Sequence, residues 1–136
     1  MDEKKAGRLT RFEMEIMNLL WTLGRASVRE IHEQLPGPRR PAYTTVQTIV
    51  TRLFEKGAVR QVRKIGNAHI YEPALQKENA YRRLINDLIQ LLGGSARPLM
   101  AHLVESNQIS LDDLREMEKA LKDGGAGKPA ARRKDK

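Results

Sequence analysis

The sequence predicts a mainly α protein with one small β-hairpin, in which a hairpin-bearing N-terminal part is followed by a helical C-terminal part. Apolar residues recur at helical spacing in six stretches, several of which begin with a residue able to cap a helix. Two β-prone runs, separated by a glycine, lie between the third and fourth of these stretches. The net charge of +8 on 136 residues is unevenly spread along the chain.

The first two helices are both predicted to begin with a capping box. Thr10 with Glu13, and Ser27 with Glu30, have the spacing in which each partner satisfies the other's free backbone amide. Gly24 ends the first helix, and the stretch 36–41, which holds three prolines, ends the second. The residues predicted to face the core are Phe12, Ile16, Leu19, Leu20, Leu23, Val28, Ile31 and Leu35.

The third helix is predicted to span Tyr43 to Lys56, with Gly57 closing it. Thr44 and Gln47 have the spacing of another capping box, which makes Thr44 the expected N-cap. Its predicted inner stripe consists of Val46, Ile49, Val50, Leu53 and Phe54.

The hairpin is predicted from the runs Ala58 to Lys64 and Ala68 to Glu72, with positive φ angles at Gly66 and Asn67. The order helix, helix, turn, helix, hairpin is that of a winged helix-turn-helix domain, expected over residues 1–74. Helices predicted over residues 75–122 form a second domain, and residues 123–136 are expected to be a disordered basic tail.

The second domain is predicted to dimerise, because its short helices carry more apolar residues than a core of that size can bury. The alternative is that these helices pack back on the winged domain. The residues expected at the dimer interface are Tyr81, Leu84, Ile85, Leu88, Ile89, Leu92, Leu99, Leu103, Leu114, Met117 and Leu121.

The distribution of charge also distinguishes the N-terminal part of the chain from the helical part that follows it. Residues 1–75 carry 13 basic and 8 acidic side chains, whereas residues 76–122 carry 7 of each. A basic N-terminal part beside a neutral helical part indicates a polyanion-binding head and a protein-binding body. A basic surface that only confers solubility is the alternative.

The outer face of the third helix predicts binding to double-stranded DNA. Threonine is a mediocre helix former, so several exposed threonines beside an arginine favour contact with a major groove. For Thr44 the alternative is capping, and for the other threonines it is bonding to the preceding turn. The wing is expected to position the protein on the DNA backbone. The residues expected to contact DNA are Ser27, Arg40, Tyr43, Thr44, Thr45, Gln47, Thr48, Thr51, Arg52, Arg63, Lys64, Asn67 and His69.

Other functional classes find little support in the sequence. The chain has no cysteine, and its three histidines, which lie far apart, lack metal-ligand spacing. We find no phosphate-binding glycine loop or nucleophile elbow, so we expect neither an enzyme nor a cofactor or metal. The sequence shows no signal peptide or membrane-length apolar run, and we expect a cytoplasmic protein that does not insert into membranes.

The sequence also resembles the penicillinase-repressor family. The resemblance rests on LTRFEMEIMNLLWTLGRASVREIHEQL, AYTTVQTIVTRLFEKGAVR, GNAHIYEPAL and LIQLLGGSARPLMAHLVE, and covers about residues 9–122. It implies a homodimeric repressor on palindromic operators rich in TACA/TGTA, read by Thr44, Thr45, Thr48 and Arg52 and contacted by the wing. It further implies control of β-lactam-resistance or related stress genes, with induction through a membrane sensor-protease and cleavage of the C-terminal domain.

Two departures from the family qualify that expectation. Staphylococcal-type members are cut at an Asn–Phe bond in the fifth helix, and the matching stretch here, Leu99 to Val104, contains neither residue. The copper-responsive branch senses metal through cysteines, which this chain lacks. Two alternatives to a specific repressor stay open, namely a winged-helix module that docks a protein and an architectural protein that binds DNA without sequence preference.

Overall fold

The structure, a computed structural model, describes residues 8–38 and 40–124. The described part contains six helices and a small three-stranded antiparallel sheet. In chain order the elements are α1 (Arg11–Leu23), β1 (Ala26–Ser27), α2 (Val28–Gln34), α3 (Tyr43–Lys56), β2 (Val59–Ile65), β3 (Ala68–Pro73), α4 (Lys77–Leu91), α5 (Arg97–Glu105) and α6 (Leu111–Lys122). Apart from its first two residues, the predicted disordered tail, 123–136, lies outside the described residues.

The predicted winged helix-turn-helix fold is confirmed, since α2, the turn and α3 are followed directly by the hairpin β2–β3. Its core is formed by α1, α2, α3 and the base of the sheet, with Met17, Leu20, Ile31, Val46, Val50 and Leu53 almost fully enclosed. Burying each of these side chains stabilises the fold by about 1.5–3 kcal/mol. None of the described helices combines the length and apolar composition needed to cross a bilayer.

The buried face of α1 differs from the predicted one. The structure buries Glu13, Ile16, Met17 and Leu20, which follow the i, i+3, i+4, i+7 spacing of a single helix face. The predicted core residues Phe12 and Leu23, and likewise Phe54 on α3, are 50%, 40% and 43% exposed. The buried face includes a charged residue, Glu13, which apolar periodicity alone does not reveal.

The predicted helix starts are confirmed where a local capping box exists. Thr10 and Ser27 each accept a hydrogen bond from the backbone amide three residues on, at 3.2 Å in both cases, and Ser110 does so for α6. The predicted N-cap at Thr44 is wrong, because α3 begins at Tyr43 with Ala42 in the cap position. The backbone enters the helix directly after Pro41, so Thr44 already lies inside the first turn.

The tip of the hairpin is tighter than expected. Ile65 pairs with Ala68, which leaves Gly66-Asn67 as a two-residue loop. Gly66 has φ 60°, whereas Asn67 is not among the residues with positive φ, so the prediction of positive φ at both positions is wrong. One positive φ, at the first loop residue, is the pattern of a type II′ turn, and glycine adopts it without steric cost.

Two further features of the sheet have no counterpart in the sequence prediction. The short strand β1 pairs with β3, matching Ala26 with Tyr71, and the strand order is β1-β3-β2. A bulge interrupts the β2–β3 register between Gln61 and Arg63 and leaves Val62 without a partner. A bulge shifts the later side chains of its strand to the opposite face, which decides how the wing presents its charges.

The described chain divides into two compact units between Asp87 and Leu88. The first ten or so residues of α4 therefore belong with the winged helix, where Ala80 joins the core. The indole of Trp21 donates to the Leu75 carbonyl at 2.9 Å, and the Tyr81 hydroxyl donates to Asn18 at 2.6 Å. The predicted domain boundary after residue 74 stays a prediction. The second unit has no buried side chain among its described residues.

Candidate nucleic-acid interface

An open cleft of about 550 Å³ separates the wing from α3 and the start of α2. Its walls bring together residues that are far apart in the sequence, including six of those predicted to contact DNA. These six are Ser27, Tyr43, Gln47, Thr51, Asn67 and His69. The winged-helix fold thus gathers much of the predicted set on one side of the molecule.

Ser27 and Tyr43 are held more firmly than the other cleft residues. Ser27 is only 9% exposed, and its hydroxyl oxygen accepts the Glu30 amide as the cap of α2. The Tyr43 ring packs edge-on against His32 with centroids 5.8 Å apart, and a ring nitrogen of His32 lies 3.1 Å from the Pro41 carbonyl oxygen. The Ser27 bond fixes the start of α2, and the Tyr43 and His32 contacts fix the entry to α3. Both Ser27 and Tyr43 therefore have a structural role in addition to facing the cleft.

The outer row of α3 is exposed along its whole length. Besides Tyr43, six side chains of this helix were predicted to contact DNA, and all six are exposed, namely Thr44, Thr45, Gln47, Thr48, Thr51 and Arg52. The hydroxyls of Thr48 and Thr51 donate to the carbonyls of Thr44 and Gln47, at 3.0 and 2.9 Å. At these two positions the threonines therefore bond to the preceding turn of the helix, which is the alternative to DNA contact given above. Their hydroxyl protons are occupied, and they offer outward a methyl group and an accepting oxygen.

Arg52 lies with Gln47, Thr48 and Thr51 around a shallow depression on the surface of α3. Glu55, one turn further on, lines the same depression. A guanidinium can donate two hydrogen bonds to guanine, and a carboxylate can accept from cytosine. Sequence reasoning missed Glu55, because an exposed glutamate on a helix is usually a solvated residue.

The bulge at Val62 sorts the charges of the wing onto two faces. Lys64 pairs across the hairpin with His69, and both lie on the face of β3 that carries the buried Tyr71. Arg63 pairs with Ile70 and lies on the opposite face. All three polar side chains are exposed, so the wing has a cation on each side.

Basic residues of the winged helix differ in whether a carboxylate lies beside them. Over the described residues from α1 to β3 and the segment leading into α1, five cations lie within 4.0 Å of a carboxylate, namely Arg8, Arg11, Arg25, Lys56 and Arg60. The other five described cations have no such partner, and they are Arg29, Arg40, Arg52, Arg63 and Lys64. Arg40 donates to the Leu35 carbonyl at 3.2 Å, which uses one of its five donors. The uncompensated charge lies on α2, the turn, α3 and the wing.

Glu72 binds two arginines at the base of the wing. Its two carboxylate oxygens accept from Arg25 at 3.1 Å and from Arg60 at 2.8 Å. The hydrogen bond from Arg60, followed by that from Arg25, holds the pKa of Glu72 below its ordinary value. Arg60 therefore ties β2 to β3 and is not available to DNA in the way that Arg63 and Lys64 are.

A second ion pair anchors the far end of α3. The Lys56 ammonium lies 2.6 Å from the buried Glu13 carboxylate and donates to the Arg8 carbonyl at 3.1 Å. Burial alone raises the pKa of Glu13, but the hydrogen bonds from Lys56 and the Thr10 amide outweigh it, so the pKa lies below its ordinary value. This contact between the start of α1 and the end of α3 fixes α3 at its C-terminus.

Arg29 is the cation of this surface that sequence reasoning missed. It follows the Ser27 cap in the first turn of α2, is exposed, and lines the cleft opposite the wing. An arginine in the first turn of a helix is ordinary. Only its position in the cleft wall, across from Asn67 and His69, makes Arg29 a candidate for DNA contact.

The residues predicted at a dimer interface are all at least partly exposed in the single chain. Leu84, Ile85, Met117 and Leu121 are 51%, 48%, 48% and 79% exposed. Tyr81 differs from them, because its ring packs edge-on against Trp21 at 5.7 Å and its hydroxyl bonds Asn18. The interface itself stays a prediction.

Comparison with known proteins agrees with this geometry. The family model of the penicillinase repressors matches residues 9–123. The chain is 32% identical over 126 residues to the transcriptional regulator BlaI of Mycobacterium tuberculosis, covering 90% of this chain and 89% of that protein. It is 24% identical to the methicillin resistance regulatory protein MecI of Mammaliicoccus sciuri, over 88% of this chain and 97% of that protein.

Among solved structures, the chain is similar to the solution structure of the DNA-binding domain of the repressor BlaI. That match has a TM-score of 0.47 and 25% identity, and covers 52% of this chain and 85% of that chain. The match of the family model over nearly the whole described chain is what shows the family. The chain belongs to the penicillinase repressor family, a family of transcriptional repressors.

Proposed function

We propose that this protein is a homodimeric, sequence-specific repressor that binds palindromic operators of the TACA/TGTA type through α3 and the wing. The observation that carries the proposal is the set of five exposed cations without a carboxylate partner on α2, the turn, α3 and the wing, beside an exposed polar row on α3. Unpaired cations supply the attraction to phosphate, and the polar row supplies the base discrimination.

Within that row, Arg52 and the threonines have different roles. Arg52 reads guanine through two hydrogen bonds. Because the Thr48 hydroxyl donates to the Thr44 carbonyl, Thr48 contributes its methyl group, which suits thymine in an A·T-rich operator. Thr45 presents its hydroxyl to base edges or phosphate. Arg29, Arg40, Arg63 and Lys64 hold the DNA backbone.

Dimerisation is supported by the second unit taken by itself. Its described part has no buried side chain, and even its large apolar residues are exposed. Leu91, Val104, Leu111 and Leu121 are 85%, 50%, 62% and 79% exposed. Apolar surface on this scale favours association, and a two-fold dimer matches a palindromic site. The partner that completes this unit is therefore a second copy of the chain.

The dimer is tested by sedimentation equilibrium on the full chain, using Leu92→Glu on the predicted interface, directly after α4, and Gln90→Glu near the end of α4 as a charge-matched control. We expect the wild type and Gln90→Glu to be dimers and Leu92→Glu to dissociate. DNase footprinting should then show both halves of a dyad protected by the dimers and neither half by Leu92→Glu at the same concentration. A monomeric wild type would refute the proposal.

The regulated genes and the release of repression are further parts of the proposal. The names of the relatives connect them with penicillinase and methicillin resistance, and we propose β-lactam-resistance or related stress genes as targets. Cleavage in the C-terminal unit by a membrane sensor-protease would relieve repression at a bond other than Asn–Phe. Transcript profiling and immunoblotting of cells exposed to a β-lactam test both points: derepression with an intact chain would exclude proteolysis.

The two alternative functions make different predictions about salt. A protein-docking module shows little DNA affinity at any ionic strength. An architectural protein loses affinity steeply as salt rises but binds all sequences alike. The polar, threonine-rich row favours the sequence-specific repressor, since binders without sequence preference rely on lysine and arginine.

A further inference from the structure

The tip of the wing carries an apolar side chain that folding does not explain. Ile65 is the last residue of β2 and is 54% exposed. Its partner across the hairpin is Ala68, whose small side chain offers little surface for cross-strand packing. It lies outside the hydrophobic core and immediately before the Gly66-Asn67 turn.

The surroundings of Ile65 are those of a nucleic-acid surface. The two residues before it, Arg63 and Lys64, are exposed and have no carboxylate partner among the described residues. Ile65 also lines the cleft, together with Asn67 on the turn and Arg29 on the opposite wall. An apolar group surrounded by uncompensated cations is unsuited to a neutral or basic protein partner, whereas it matches a polyanion with apolar sugar surfaces.

We propose that Ile65 inserts into the DNA minor groove next to the base pairs read by α3, packing against deoxyribose while Arg63 and Lys64 hold the flanking phosphates. This inference rests on the proposed DNA-binding function. Proteins that bind the minor groove frequently insert apolar side chains, isoleucine among them, into it. The type II′ turn makes the tip narrow, because its two-residue loop adds no bulk beyond Ile65 and Asn67.

The test uses the full-length protein and a dyad duplex that the wild type has selected from a random pool. One duplex extends about one helical turn beyond the dyad on each side, and the other ends at the dyad. Affinity is measured by fluorescence anisotropy over a salt series. The variants are Ile65→Ala, Ile65→Met, Lys64→Ala, and Leu23→Ala as a matched exposed apolar control, since Leu23 is 40% exposed at the end of α1.

We expect Ile65→Ala to bind the long duplex about tenfold more weakly, from the loss of buried methyl and methylene groups, with an unchanged salt slope. Ile65→Met should retain the affinity, and Leu23→Ala should bind like the wild type. Lys64→Ala should lower the salt slope by about one. On the short duplex, Ile65→Ala and the wild type should bind equally.

Two results would overturn the inference. The first is equal affinity of Ile65→Ala and the wild type for the long duplex. The second is an equal loss for Ile65→Ala and Ile65→Met on both duplexes, which indicates a structural role in the hairpin. If the wild type selects no sequence from the random pool, the proposed function itself fails, and that outcome is distinct from the other two.

Discussion

Replacing Lys56 by methionine should destabilise the winged helix by leaving the buried Glu13 carboxylate without its counter-ion. Removing one partner of a fully buried ion pair costs about 3–5 kcal/mol. Here the side chains of Lys56 and Glu13 are 30% and 3% exposed, and Glu13 keeps its bond from the Thr10 amide at 2.8 Å. We therefore expect a loss of about 2 kcal/mol at neutral pH, or a fall of about 10 °C in Tm.

The pH dependence identifies the cause of that loss. In the wild type the pKa of Glu13 is lowered, so its contribution is fully present above the unfolded pKa of about 4.3 and is lost as pH falls through the folded value. In Lys56→Met the ammonium no longer lowers the pKa of Glu13, so this pKa should lie above its wild-type value. Its carboxylate is then protonated as pH falls, and the difference from the wild type should shrink between pH 7 and pH 4.

The assay is urea unfolding of the full chain at one fixed protein concentration, because a dimer's stability depends on concentration. Glu13→Gln retains an acceptor for the Thr10 amide and removes the charge. The double variant Glu13→Gln/Lys56→Met should be more stable than Lys56→Met at pH 7. A deficit for Lys56→Met that is below about 0.5 kcal/mol, or is the same at every pH, would refute the reasoning.

Three other predictions follow from the same contacts. Gly66→Ala should cost about 1 kcal/mol in a thermal melt, because its φ of 60° is unfavourable for alanine although nothing lies within 4 Å of the added Cβ; an unchanged Tm would contradict the type II′ turn. Trp21→Phe should cost about 1 kcal/mol in urea by removing the bond to the Leu75 carbonyl, whereas no change would mean that water replaces the indole. Thr48→Val should bind a selected operator within about twofold of the wild type and Thr48→Ser should bind it several-fold more weakly, as anisotropy can show; the reverse order would assign the contact to the hydroxyl.

The sequence predicts most reliably the features that depend on neighbouring residues. Capping boxes at Thr10 and Ser27 need only residues three apart, and both are confirmed. At Thr44 the same pattern misled us, because Pro41 and the contact of its carbonyl with His32 start the helix two residues earlier than a threonine cap would.

The features that sequence reasoning missed all depend on contacts across the fold. Glu13 is buried beside Lys56, 43 residues away, and the buried face of α1 contains Glu13, whereas Phe12 is exposed. Strand β1 has only two residues, too few to show alternation. Neither the bulge at Val62 nor the position of Arg29 across from the wing leaves a periodic signal in the sequence.

The surface that we propose binds DNA is defined by which cations lack a carboxylate partner, and that property also becomes visible only in the structure. Arg25 and Arg60 look equivalent to Arg52 and Arg63 in the sequence. The structure separates them, since Glu72 binds the first two. The Glu72 carboxylate offsets one of the two positive charges at the base of the wing, and the cations without a carboxylate partner lie on α2, the turn, α3 and the outer wing.

The central claim is that the outer row of α3 reads DNA sequence, and the most direct measurement is the ratio of affinities for a TACA/TGTA dyad and a scrambled duplex at one salt concentration. For the wild type we predict a ratio of at least about 1,000. Arg52→Ala should lower the dyad affinity by about 1–3 kcal/mol and leave scrambled DNA nearly unaffected, so the ratio falls. An equal loss on both duplexes, or an unchanged ratio, would show that α3 binds phosphate without reading the bases.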